Sequence, residues 1–149
     1  MDVQLPSDPQ CLPDVRQRVR AWLERDGWSE KQVGEVVLAI DEALSNVIRH
    51  GYGGRCDQQI HLSLGHAPTA NGASGLEVRI RDHSECVDLS RICGRDLHDV
   101  RPGGLGVHLI NAMMESVEYS HAPGGGVLLV MRKSRTHVAS AAETEGDAS

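Results

Sequence analysis

The chain has 149 residues, 40% of them apolar, and a formal net charge of −6. That length holds one domain with a real core and is short for two, and the acidic balance argues against a non-specific nucleic-acid binder, which needs a basic surface to neutralise phosphates. Aromatic residues make up only 3% and phenylalanine is absent, so the core must be aliphatic.

The opening MDVQLPSDPQ has neither the basic nor the apolar region of a secretory leader. Its VQL segment (3–5) alternates like an edge strand, and PSDPQCLP reads as a loop. From Pro13 the pattern turns helical, with Val15, Val19, Trp22 and Leu23 on one face. Pro13 suits a first helical turn, and Gly27 suits the stop. Ser29 opens a second helix, with Gln32 at the capping-box spacing. Val33, Val36, Val37, Ile40, Leu44, Val47 and Ile48 form its apolar stripe, and Gly51 ends it. A second stripe, Glu35, Ala39, Glu42 and Asn46, is rotated from the first. IHLSL (60–64) and LEVRIRD (76–82) alternate as half-buried strands of a hairpin, with 65–75 as a turn-rich connection. Residues 83–104 are long for a connection and suggest a functional loop. LGVHLINAMMESV (105–117) is helical, VEYS starts a strand, APGGG turns, and VLLVMRK (127–133) is a central, buried strand. Residues 134–149 are small and polar, which predicts a disordered tail after a domain at 1–133. No apolar run approaches about 18 residues, so no membrane span is expected. The four cysteines, Cys11, Cys56, Cys86 and Cys93, form no C-x-x-C pair. Scattered thiols point to a reduced, cytoplasmic setting and away from disulfides or zinc. The element order predicts an α+β fold: a two-layer α/β sandwich with helices on one face of a mostly antiparallel sheet.

Three features carry chemistry. Glu42 and Asn46 are four apart and share a helix face. A carboxylate and an amide oxygen there are hard ligands suited to Mg²⁺, although a solvent-facing pair is the plainer reading. Ala39 and Ala43 beside them leave room for something to approach. Asp82 ends a strand, where aspartate is often only a turn former; its carboxylate could also accept from an exocyclic amine. Gly103, Gly104 and Gly106 precede or open a helix, and free N–H groups at such a terminus bind phosphate. His50 could cap the end of its helix, and Arg101 could touch a phosphate. Met113, Met114, Trp22 and Trp28 read as packing residues.

Order and spacing bind these features together. The run from LPSDPQCLPDVRQRVRAWLERDG through VVLAIDEALSNVIRHGYGG, LEVRIRDHS and GGLGVHLINAMMESVEY to GGGVLLVMRK resembles the anti-sigma-factor serine kinases, a branch of the GHKL ATPase superfamily. The resemblance spans about residues 3 to 133, and DEALSNVIRHGYG, similar to the family's N-box, is its most specific piece. It implies ATP and Mg²⁺ as cofactors. Asn46 would hold the metal, Glu42 would be the general base toward a protein serine, and Asp82 would receive the adenine amino group. Backbone at Gly104 and Gly106 would wrap the phosphates, residues 83–103 would be the ATP lid, and the second stripe would floor the pocket. The partners implied are a STAS-type anti-sigma antagonist, a sigma factor or analogous output protein, and a second copy of the chain.

The chain departs from the family pattern around the base. Ser84 and Cys86 follow Asp82 where small or aromatic residues are usual, and Val127 follows the last glycines where threonine is frequent. These departures support an alternative: a non-catalytic module that sequesters a sigma factor or antagonist.

Overall fold

A computed structural model describes residues 1–53, 56–68, 74–83 and 102–135, with Gly51 and residues 102–107 described by backbone alone. The strands are β1 (Asp2–Pro6), β2 (Gln59–Pro68), β3 (Ser74–Asp82), β4 (Ser116–His121) and β5 (Val127–Ser134). The helices are α1 (Leu12–Arg25), α2 (Glu30–Asn46) and α3 (Pro102–Met113). The strands form one five-stranded sheet in the order β1-β2-β3-β5-β4, with every pairing antiparallel.

Alternation decides which face of the sheet is covered. Val3 and Leu5, Ile60, Leu62 and Leu64, Leu76, Val78 and Ile80, and Leu129 and Met131 point to one side and enter the core. They meet Val15, Val19 and Leu23 of α1, the Val33–Leu44 stripe of α2, and Ile110 of α3. This is the α+β two-layer sandwich expected from the sequence. On the other face Glu77 accepts from Arg79 Nε at 2.8 Å and from Arg132 Nε at 2.9 Å. No described helix is long and apolar enough to cross a membrane.

Local signals set the helix ends. Ser29 Oγ accepts from Gln32 N at 3.2 Å, as an N-cap should. The Gln32 side chain reaches back to the cap, its Oε1 lying 3.3 Å from Ser29 Oγ, while its Nε2 donates to Ser134 O. Gly27, at φ +88°, ends α1, and Trp28 N donates to Leu23 O at 3.1 Å. That six-residue closure with a left-handed glycine is how helices commonly stop.

The structure revises three boundaries. β2 and β3 run on to Pro68 and back to Ser74, so most of the expected loop at 65–75 is paired ribbon. α3 starts at Pro102, inside the segment read as a loop, and ends at Met113, four residues early. Val117 belongs to β4 and pairs with Met131. β5 extends to Ser134, whose N and Oγ both donate to the Glu115 carboxylate. Ordered structure therefore passes the expected boundary at 133. The remainder of the predicted tail, 136–149, lies outside the described residues, as do Ser84, Cys86, Cys93 and Arg101.

Candidate functional site

α2 presents Glu42 and Asn46 one turn apart at its C-terminal end, both half-buried. Among the described residues no hydrogen bond or ion pair engages the Glu42 carboxylate. Asn46 Oδ1 accepts a long bond from Arg49 Nη2 at 3.4 Å, while its Nδ2 is buried with no partner. An orphaned buried amide is costly and marks a place where a ligand can complete the set.

The stripe shared by these residues is not one continuous floor. Glu35 is 3.4 Å from Lys133 Nζ and thus part of the packing of α2 on β5. Ala39 and Ala43 are buried core residues, so the space beside them is filled by protein.

Immediately after Asn46 the helix widens. Residues Val47–Gly51 make a π-helical turn, closed by Tyr52 N donating to Val47 O at 2.9 Å. Such turns are frequent at functional sites. Periodicity alone gave no warning of it. The turn leaves Arg49 and His50 exposed and carries the Tyr52 ring into the core. His50 stands as a basic residue in the last turn of this element.

Asp82 is only 4% exposed at the end of β3. Its Oδ1 accepts from Val127 N at 3.1 Å. Gly126, at φ +87°, lies so close that a Cβ there would fall 2.1 Å from Asp82 O. Next door, His83 N donates to the Tyr52 hydroxyl at 2.6 Å. The turn that follows α2 and the end of β3 are thereby hydrogen-bonded to each other. Gly104 and Gly106 fall in the first two turns of α3, a helix that packs on α2. Among the described residues no group of three or more His, Cys, Asp or Glu side chains is arranged to hold a metal. A cation at Asn46 would thus share its sphere with a ligand's oxygens and water, the usual habit of Mg²⁺ beside phosphates. The unpartnered Asn46 amide and the glycine-lined Asp82 corner fit a magnesium-chelated nucleotide.

Residues 5–133 match the family described as histidine kinase-like ATPase domain. The chain belongs to that family. Within it the chain is similar to serine-protein kinases named RsbW. It is 27% identical over 135 residues to the serine-protein kinase RsbW of Listeria monocytogenes serotype 4a, covering 85% of this chain and 83% of that relative. It is 31% identical over 111 residues to the serine/threonine-protein kinase BtrW of Bordetella bronchiseptica, covering 69% of this chain and 75% of the relative. Two solved structures share the fold of this histidine kinase-like ATPase. The RsbU and RsbW domains of a Mycobacterium tuberculosis protein align with TM-score 0.59 at 17% identity, over 90% of this chain and 32% of that one. The SiaB–SiaC complex of Pseudomonas aeruginosa aligns with TM-score 0.53 at 13% identity, over 89% of this chain and 88% of that one.

Proposed function

We propose that the protein is a cytoplasmic anti-sigma serine kinase that binds Mg·ATP and phosphorylates a serine on a STAS-type antagonist. The observation that carries this reading is the buried, unpartnered Asn46 amide one turn from an unengaged Glu42 carboxylate. Phosphoryl transfer asks a protein mainly for positioning and charge stabilisation. A half-turn of the Asn46 amide presents its oxygen to a cation or its nitrogen to a phosphate oxygen. Glu42 would orient a serine hydroxyl and take its proton. The Asp82 carboxylate, which accepts from Val127 N, would also accept from an adenine amino group. Backbone N–H groups of the first turns of α3, at Gly104 and Gly106, would face the phosphates. Mg·ATP supplies the transferred group and the neutralising cation. The partners of this reading are the antagonist, a sigma factor or analogous output protein, and a second copy of the chain. The names RsbW and BtrW of its relatives, both protein kinases, support it.

Titration with Mg·ATP and a phosphorylation assay on a STAS-domain substrate test the proposal together. Asn46→Ala should weaken nucleotide binding at least about tenfold, the scale of one lost ligand hydrogen bond of roughly 1.4 kcal/mol. Glu42→Gln should bind nucleotide normally yet transfer phosphate about 10²–10⁴-fold more slowly, the usual worth of a general base. Binding of Mg·ATP without transfer to any antagonist serine would remove the kinase part.

A second reading, a sequestering module without catalysis, draws on the engagement of Asp82 Oδ1 by Val127 N. A folded protein that ignores millimolar Mg·ATP but captures a sigma factor or antagonist would decide for it.

A further inference from the structure

Tyr52 is one of only two tyrosines in the chain. Its ring is 6% exposed. Its hydroxyl donates to Gln59 O at 2.8 Å and accepts from His83 N at 2.6 Å. Gln59 opens β2, and the next residue, Ile60, pairs with Asp82. Tyr52 also closes the π-helical turn that follows Asn46. One residue thus meets the turn after α2 through its backbone N–H, and the start of β2 and the residue beyond Asp82 through its hydroxyl.

From this geometry we infer that Tyr52 is a positioning residue for base recognition, setting the distance between the Asn46 amide and the Asp82 carboxylate. The inference rests on the nucleotide reading above and adds to it a specificity determinant. A buried phenol is retained where both its donor and its acceptor capacity are used. Burial, together with the charge of Asp82, pushes the Tyr52 hydroxyl above its ordinary pKa, so it stays a neutral donor and acceptor at physiological pH. Without the hydroxyl, His83 N and Gln59 O both lose their partner. The chain just beyond Asp82 would then lose the bond that ties it to the turn after α2. Hydrogen bonds weaken steeply with misalignment. A carboxylate displaced from an exocyclic amine loses its preference for that amine before the site loses affinity for phosphate.

The test compares ATP with inosine triphosphate, which carries an oxygen in place of the adenine amino group. Calorimetric titration of both, with Mg²⁺, gives a selectivity ratio for the wild type, Tyr52→Phe and Asp82→Asn. A wild-type preference for ATP of about tenfold or more is expected, as sites built around a substrate N–H reject analogues lacking it. Tyr52→Phe should collapse that ratio toward the Asp82→Asn value while affinity for the inosine analogue changes little. A merely structural tyrosine would lower both affinities alike and keep the ratio, which overturns the inference. If the wild type binds both nucleotides equally, Asp82 does not read the base and the inference falls while Mg·ATP binding stands. If it binds neither, the nucleotide reading itself fails. Amide exchange in the wild type covers the case of an unfolded Tyr52→Phe. The His83 amide should exchange slowly, and Mg·ATP should slow it further than the inosine analogue does. Fast exchange in the free protein, or equal slowing by both, would again overturn the inference.

Discussion

Gly126 shows how single side chains constrain this site. With φ at +87° and the Asp82 carbonyl where its Cβ would be, it has no room for any side chain. A left-handed non-glycine residue costs about 1–2 kcal/mol before any clash. Gly126→Ala should therefore lower Tm by at least about 2 °C, at roughly 2–4 °C per kcal/mol for a domain of this size. Thermal unfolding followed by circular dichroism measures it; an unchanged Tm would mean that the turn and β3 are not in contact. The same substitution should weaken nucleotide binding, because it moves the Asp82 backbone. The sequence showed a run of three glycines and hence a turn. It could not show which glycine meets the neighbouring strand. Glu42 and Asn46 were legible, because a spacing of four fixes a shared helix face. The part played by Tyr52 was not, because its partners stand 7 and 31 residues away and only tertiary folding delivers them.

Secondary-structure elements were legible where one local rule acted alone. α2 has a serine cap and a clean apolar stripe, and it forms where both predict. The C-terminal end of α3 was misplaced because helical and strand periodicities overlap across MMESVEY, and pairing with β5 wins. Val117 pairs with Met131, and Glu115 N donates to Arg132 O. The length of the β2–β3 ribbon was missed because Gly65 and Pro68 read as breakers, while nine register pairs hold them in strand. Lys133 joins these elements: its ammonium donates to Met113 O at the end of α3 and stands 3.4 Å from Glu35 on α2. A cation there also complements the C-terminal end of the helix dipole. Lys133→Met should destabilise the protein by about 1–3 kcal/mol, the range for a charge-assisted bond whose partner is left behind. Urea unfolding of Lys133→Met, Glu35→Gln and the double variant would measure their coupling. Strict additivity would show that the ion pair contributes nothing and that the carbonyl bond carries the effect.

The two ends of the molecule do different work. One end gathers Asn46, Asp82 and Gly126. The opposite end closes the α1–α2 corner onto the sheet through Asp26. Its Oδ1 meets His66 Nε2 at 2.8 Å, and its Oδ2 accepts from Trp28 Nε1 at 2.9 Å and Arg135 Nη2 at 2.8 Å. Arg135 also donates to Asp26 O and stacks 4.7 Å over the Trp28 ring. A chain ended at Lys133 loses this clasp together with the Ser134–Glu115 bonds, so it should melt below a chain ended at Arg135. The clasp also gives stability a pH dependence. Burial pushes the Asp26 carboxyl up, but the hydrogen bonds from His66 and Trp28 and the charges of His66 and Arg135 outweigh it and hold the pKa below its ordinary 3.8. Glu77 is likewise held below its ordinary 4.5, first by the Arg79 bond, then by Arg132, against the opposing effect of burial. A depressed carboxylate binds its proton more weakly in the folded chain than in the unfolded one. Its contribution is complete above the ordinary value and is lost as pH falls through the folded value. Stability from urea unfolding should therefore fall with acidification below about pH 4.5, the region where these two groups begin to protonate in the unfolded chain. Asp26→Asn should be less stable than the wild type at neutral pH, and its curve should flatten in acid as the two converge. Parallel curves all the way down would show that Asp26 has the same proton affinity folded and unfolded, and that its carboxylate charge adds nothing to the clasp.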